Sequence, residues 1–111
     1  MSARFVYITC AGAEQAATIG RALVEERLAA CVNILPGMRS IYRWQGEIVT
    51  DNEAVLIAKT REDQVAALTG RVRALHSYTV PCVVVLPILG GNPAYLEWLI
   101  GEASGAPTLA A

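Results

Sequence analysis

Between Cys31 and Thr60 the chain reads as two long strands joined by a two-residue turn, and that hairpin limits what the rest of the molecule can be. CVNIL (31–35) opens the first arm, Pro36-Gly37 interrupts it, and MRSIYRW (38–44) resumes it. Ser40, Tyr42 and Trp44 then lie on one side, Ile41 and Arg43 on the other. A proline within a strand marks a bulge or an edge position. Gln45-Gly46 turns the chain back, and Glu47 to Thr60 makes the second arm, with an irregularity expected at Asp51-Asn52 before the apolar run AVLIA. At about 3.3 Å per residue each arm approaches about 45 Å, whereas a helix of about 17 residues covers only about 25 Å. Part of the hairpin is therefore left for a partner to cover.

The segments on either side supply the cover and the remaining strands. RFVYITC (4–10) alternates and is rich in β-branched and aromatic residues, which predicts a strand ended by Ala11-Gly12. From Ala13 to about Ala29 the period becomes helical: Ala16, Ile19, Gly20, Leu23 and Val24 share one face. Arg27 projects toward the middle of that face, where it would serve the helix C-terminus or meet a buried carboxylate. Thr60 followed by Asp63 resembles a capping box opening a second helix, whose Val65, Leu68, Val72 and Leu75 recur up to His76. After SYTVP, CVVVLPI (82–88) reads as a buried fourth strand, and Asn92-Pro93 is a helix start leading into AYLEWLIGEA. The tail from Ser104 is expected to fray.

Strand, helix, strand, strand, helix, strand is the order of the α+β, ferredoxin-like βαββαβ sandwich, here with an extra C-terminal helix and a long hairpin. The chain is one domain, 1–111, with an ordered core of about 3–103, because 111 residues are too few for two independent cores. In that sandwich both crossover helices lie on one face of an antiparallel sheet. Apolar residues reach 54% while charged ones are only 17%, so the second face cannot stay in water at low cost. A closed homo-oligomer is expected. Net charge of -1 gives no basic footprint for nucleic acid or anionic lipid, and no run approaches the roughly 20 apolar residues of a membrane span. The N-terminus lacks the apolar core of a signal peptide, which points to the cytoplasm and to three reduced cysteines.

The topology also distributes the thiols. Strand one and the second helix end where strand four begins, so Cys10, His76 and Cys82 fall at the same end of the sheet. Cys31 starts strand two at the opposite end and reads as a packed core thiol.

Several spaced stretches, in order, are similar to those of the CutA divalent-cation tolerance family. They are TC at the end of strand one, RLAACVNI (27–34), SIYRWQGEI (40–48), Lys59-Thr60, LHSYTVP (75–81), LPI (86–88) and YLEWL (95–99). The resemblance implies a ferredoxin-like, PII-like homotrimer linked to tolerance of divalent metals and credited with copper binding. Carried over to this sequence, the family's proposed ligands fall at Cys10 and His76 with a carboxylate after them. Here HSYTVPC replaces the family's usual HPYEVPE: Ser77 stands for Pro, Thr79 for Glu, and Cys82 for the carboxylate. Losing hard oxygen ligands disfavours magnesium and calcium, and a Cys10, His76, Cys82 set suits Cu(I) or, alternatively, zinc.

Two other functions compete with a metal-responsive binding protein. One is a PII-like signalling or scaffold trimer, holding a small ligand in clefts between subunits and a protein partner on its hairpins; an anion near Lys59, Arg43 or Arg39 would mark it. The other is an acylphosphatase-like enzyme, which needs a phosphate-cradling loop after strand one. That loop is AGAEQ, and its Glu14 repels phosphate, so no enzyme is expected. The aromatics Tyr42, Trp44, Tyr78, Tyr95 and Trp98 read as core or interface anchors, with Tyr42 or Trp44 near a subunit boundary.

Overall fold

A computed structural model describes residues 2–105. Its four strands are β1 (Ala3–Cys10), β2 (Cys31–Trp44), β3 (Glu47–Arg61) and β4 (Val83–Pro87), and its helices are α1 (Ala13–Glu25), α2 (Val65–Leu75) and α3 (Pro93–Glu102). The strands form one antiparallel sheet in the order β2-β3-β1-β4, the ferredoxin-like arrangement expected from the element order.

Alternation along β1 and β3 divides the molecule. Val6, Ile8 and Cys10 with Ala54, Leu56 and Ala58 point to one face, where Ala16, Ile19 and Leu23 of α1 and Leu68 and Val72 of α2 close over them into a fully buried core. Gly20 allows α1 to lie so close: a Cβ there would come within 2.9 Å of a Val32 methyl and 3.1 Å of one from Leu56. The other face is covered at one end by α3, whose Leu99, with Ala103 just past its end, packs with Ala3 and Ala30. Elsewhere that face is open.

The hairpin is as long as the sequence requires, and the longest dimension of the molecule is 49 Å. Its register shifts between Leu35 and Met38, where Gly37 has φ 74°, so Pro36-Gly37 is a bulge as expected. Gln45 (φ 49°) and Gly46 (φ 83°) make the turn, both left-handed as a tight two-residue hairpin loop demands. Asp51-Asn52, expected to be irregular, instead pair in register with Ser40 and Arg39 and the strand runs on to Arg61. The bulge opposite already absorbs the mismatch.

Local differences have local causes. α1 stops at Glu25, four residues before the expected end, because Arg27 turns left-handed (φ 58°) and the amides of Leu28 and Ala29 close back on the Leu23 carbonyl. Arg27 therefore leaves the helix and pairs with Glu102 of α3 at 3.1 Å, and Val24 is exposed. Thr60 is not a cap: it lies within β3 and its hydroxyl donates to the Leu28 carbonyl at 2.6 Å, while Asp63 pairs with Arg61 and a 3-10 turn (Glu62–Gln64) leads into α2. β4, expected to be buried, is an edge strand whose Val84, Val85 and Leu86 are exposed in the single chain. Asn92 does cap α3, its side-chain oxygen accepting from the Ala94 amide at 3.2 Å. At the C-terminal end Gly105 donates its amide to the Arg27 carbonyl at 2.8 Å, so residues 104 and 105 are tied down. The rest of the tail lies outside the described residues.

Candidate functional site

Strand pairing brings the backbones of Cys10, His76 and Cys82 to one end of the sheet. The Thr9 amide donates to the Cys82 carbonyl at 3.4 Å, and His76 sits at the C-cap of α2 with Nε2 at 2.7 Å from the Thr9 carbonyl. A carbonyl only accepts, so Nε2 carries the proton and Nδ1 is left to accept the Tyr78 amide at 3.1 Å. His76 is thus a neutral imidazole with both nitrogens engaged, 8% exposed, its ring 4.6 Å from that of Tyr78. It cannot give a lone pair to a metal without losing the Tyr78 bond.

The two thiols part company at the sheet. Cys10 ends β1 on the helix side and is fully buried. Val83, paired with Ile8, packs against the same core, so Cys82, one residue earlier, falls on the opposite face and lines a cavity there with Tyr7 and Thr9. Among the described residues no three His, Cys, Asp or Glu side chains gather as metal ligands. The residues expected to hold copper share an end of the sheet but not a common centre, and as a three-ligand set within one chain they do not fit a metal ion.

Burial, and then the charge of Glu53, push the Cys10 thiol up from its ordinary 9.0 to about 11. It is a protonated core thiol at neutral pH. Because the folded value lies above the unfolded one, the stability this thiol contributes is complete below pH 9 and is lost as pH rises through about 11. Denaturation midpoints measured from pH 7.5 to 11 are expected to fall more steeply for the native chain than for a Cys10→Val variant. Coincident profiles would show that the thiol is not linked to folding.

Sequence reasoning read Tyr42, Trp44 and Tyr78 only as anchors and passed over Glu53, which lies among them on the open face. Behind the Cys82 end lies a cavity of about 680 Å³, lined by Tyr7, Tyr42, Trp44, Glu53 and Tyr78 besides Cys82. Glu53 is only 6% exposed and accepts a hydrogen bond from the Tyr78 hydroxyl at 2.9 Å; Asp51 accepts one from Tyr42 at 2.7 Å. Hydrogen bonding to Asp51 raises the Tyr42 phenol first of all, while burial and then Glu53 raise that of Tyr78. The signal was available: Glu53 continues the alternation of Val55 and Ile57, which sends a carboxylate to the face opposite the helices.

At the far end of the same face, Cys31 is half-buried rather than part of the core, its Sγ 3.3 Å from the Tyr95 hydroxyl. Lys59 donates to that hydroxyl at 3.3 Å and lies 5.4 Å from the centroid of the ring. α3 brings Tyr95 across the sheet to them, and the Trp98 ring lies beside it, 5.6 Å away and tilted by 38°. Lys59 is thereby engaged within the chain.

Comparison with known proteins agrees with this architecture. The family model described as CutA1 divalent ion tolerance protein matches residues 4–102. The divalent-cation tolerance protein CutA of Thermus thermophilus is 60% identical over 94 residues, which span 85% of this chain and 91% of that protein. A solved structure of the Cut A1 protein of the same organism superposes with a TM-score of 0.88 at 56% identity, covering 90% of this chain and 97% of that one. The chloroplastic protein CutA 1 of Oryza sativa is 51% identical over 94 residues, and the match spans 53% of the rice protein.

Proposed function

Since the chain belongs to the CutA1 divalent ion tolerance protein family, we propose that it serves tolerance of divalent cations as a cytoplasmic homotrimer that binds its ligands and catalyses no reaction on them. The observation that carries this reading is the open face of the sheet. Leu35 and Val84 are more than half and half exposed there, and Leu86 nearly so. The hairpin adds Ile41 at 69% and Ile48 at 67%. So much apolar surface beside two strand edges, on a single-core chain, is the surface of a subunit. Three copies is the number that the PII-like resemblance implies. Among the described residues no helix is long and apolar enough to cross a membrane.

Copper remains the metal to test, with zinc as the alternative. Of the two thiols in the expected set only Cys82 is half-exposed; Cys10 is sealed in the core and His76 is engaged on both sides. Copper capture therefore falls to Cys82. Sedimentation equilibrium at micromolar concentration is expected to give three times the 11.8 kDa chain mass, and anaerobic Cu(I) titration of that species should lose its tight site in Cys82→Ser and keep it in Cys10→Ser. A single-chain mass would overturn the trimer. Copper binding indifferent to Cys82→Ser would remove the thiol from the proposal. The cavity beside Cys82 favours a second reading, a PII-like trimer that holds a small ligand or a protein partner.

A further inference from the structure

The cavity on the open face sets a buried carboxylate among aromatic walls. Glu53 is a carboxylate more than nine-tenths buried, and the partner it has is neutral, the Tyr78 hydroxyl at 2.9 Å. Among the described residues five ion pairs hold the surface together, and none of them includes Glu53 or Asp51. A buried charge without a counter-ion is costly, and burying it beside a cavity leaves room for the missing charge to be supplied from outside. Tyr42 donates to Asp51 on the same hairpin, so each carboxylate accepts its hydrogen bond from a phenol. The Cys10 proton is held more tightly for the same reason, after burial.

The walls suit one class of ligand. Tyr7, Tyr42, Trp44 and Tyr78 present aromatic surface around the carboxylate, and aromatic faces attract cations most strongly when water is excluded. Arg39 also lines the cavity, whereas Arg43, paired with Ile48, does not. Among the described residues no basic side chain, Arg39 included, makes an ion pair with Glu53. A bare metal ion would find two carboxylates already hydrogen-bonded and no third ligand gathered with them. A volume of about 680 Å³ lies within the range of small-molecule sites.

We propose that this cavity binds a small organic cation, an alkylammonium or guanidinium compound, whose charge is met by Glu53 and whose body is enclosed by Tyr7, Tyr42, Trp44 and Tyr78. In an assembled protein, copies covering the open face would make the cavity a cleft at their boundary. The site needs neither copper nor Cys10.

The test is calorimetric titration of the native protein, in its assembled form, with choline, with agmatine, and with 3,3-dimethylbutan-1-ol, the uncharged carbon analogue of choline. Both cations are expected to bind saturably and the alcohol at least tenfold more weakly than choline. Glu53→Gln, which keeps the shape and removes the charge, should weaken both cations at least tenfold and leave the alcohol unmoved. Trp44→Ala, at the half-exposed end of the hairpin, should weaken all three. Absence of saturable cation binding, equal binding of choline and the alcohol, or cation affinity unchanged in Glu53→Gln would overturn the proposal. If Glu53→Gln fails to fold, the choline-to-alcohol ratio and Trp44→Ala decide it. A native protein blind to both cations whose Glu53→Gln variant dissociates would assign the carboxylate to a second copy instead.

Discussion

Val84→Glu is expected to convert the assembled protein into single chains while leaving each chain folded. Val84 lies on edge strand β4, paired with Tyr7 on the open face, and is 50% exposed in the isolated chain. A carboxylate there can remain in water in the monomer, so the fold loses little, within about 0.5 kcal/mol for a surface change. Assembly that covers the open face would bury one such charge per copy without a counter-ion, at a cost of several kcal/mol each. Sedimentation at micromolar concentration should therefore fall from three chain masses to one, with the far-ultraviolet spectrum retained. Thr18→Glu, on the solvent side of α1, adds the same charge and should leave the mass alone. If Val84→Glu stays assembled, the β4 end of the open face is not an interface.

Truncating the core should act in the opposite way, on the fold itself. Leu56 is fully buried on β3, between Ile8 of β1 and Ile34 of β2, beneath the close approach of α1 at Gly20. Leu56→Ala removes buried methyl groups and leaves a void that a helix seated on a glycine can close only in part. A loss of about 2–5 kcal/mol is expected, a large share of the roughly 5–15 kcal/mol that holds a domain together. Urea unfolding at fixed protein concentration should show the midpoint falling with the slope unchanged, and assembly must be held constant for the comparison. Ile57→Ala, one residue along on the open face and half-buried, should cost clearly less in the single chain. Equal losses would mean that the two faces of β3 are equally packed.

The places where sequence and structure part company share a cause. Strand alternation, the Pro36-Gly37 bulge, the Gln45-Gly46 turn and the Asn92 cap are decided within a few residues of themselves, and each stands where local chemistry puts it. Thr60 fails as a cap because its hydroxyl is taken by Leu28, 32 positions away, a partner that no local pattern reveals. α1 ends early because the chain must bend at Arg27 to begin β2, and the Arg27 side chain then finds Glu102 on α3. The candidate site follows the same rule. Topology alone delivered Cys10, His76 and Cys82 to one end of the sheet. Which face each side chain takes depended on a register known only from the pairing of Ile8 with Val83.

By itself, then, the sequence determined the order of elements, the ferredoxin-like topology, the excess length of the hairpin and the need for something to cover it, because periodicity and strand length are properties of consecutive residues. Tertiary structure alone decided that α3 crosses to the open face, that the sheet stands between the two thiols, and that Glu53 is buried beside an aromatic cavity with no ion pair to it among the described residues. Those are facts about distance between residues far apart in the chain. They are set by how the sheet pairs and how the helices seat on it, and a one-residue slip of register would have reversed every one of the faces.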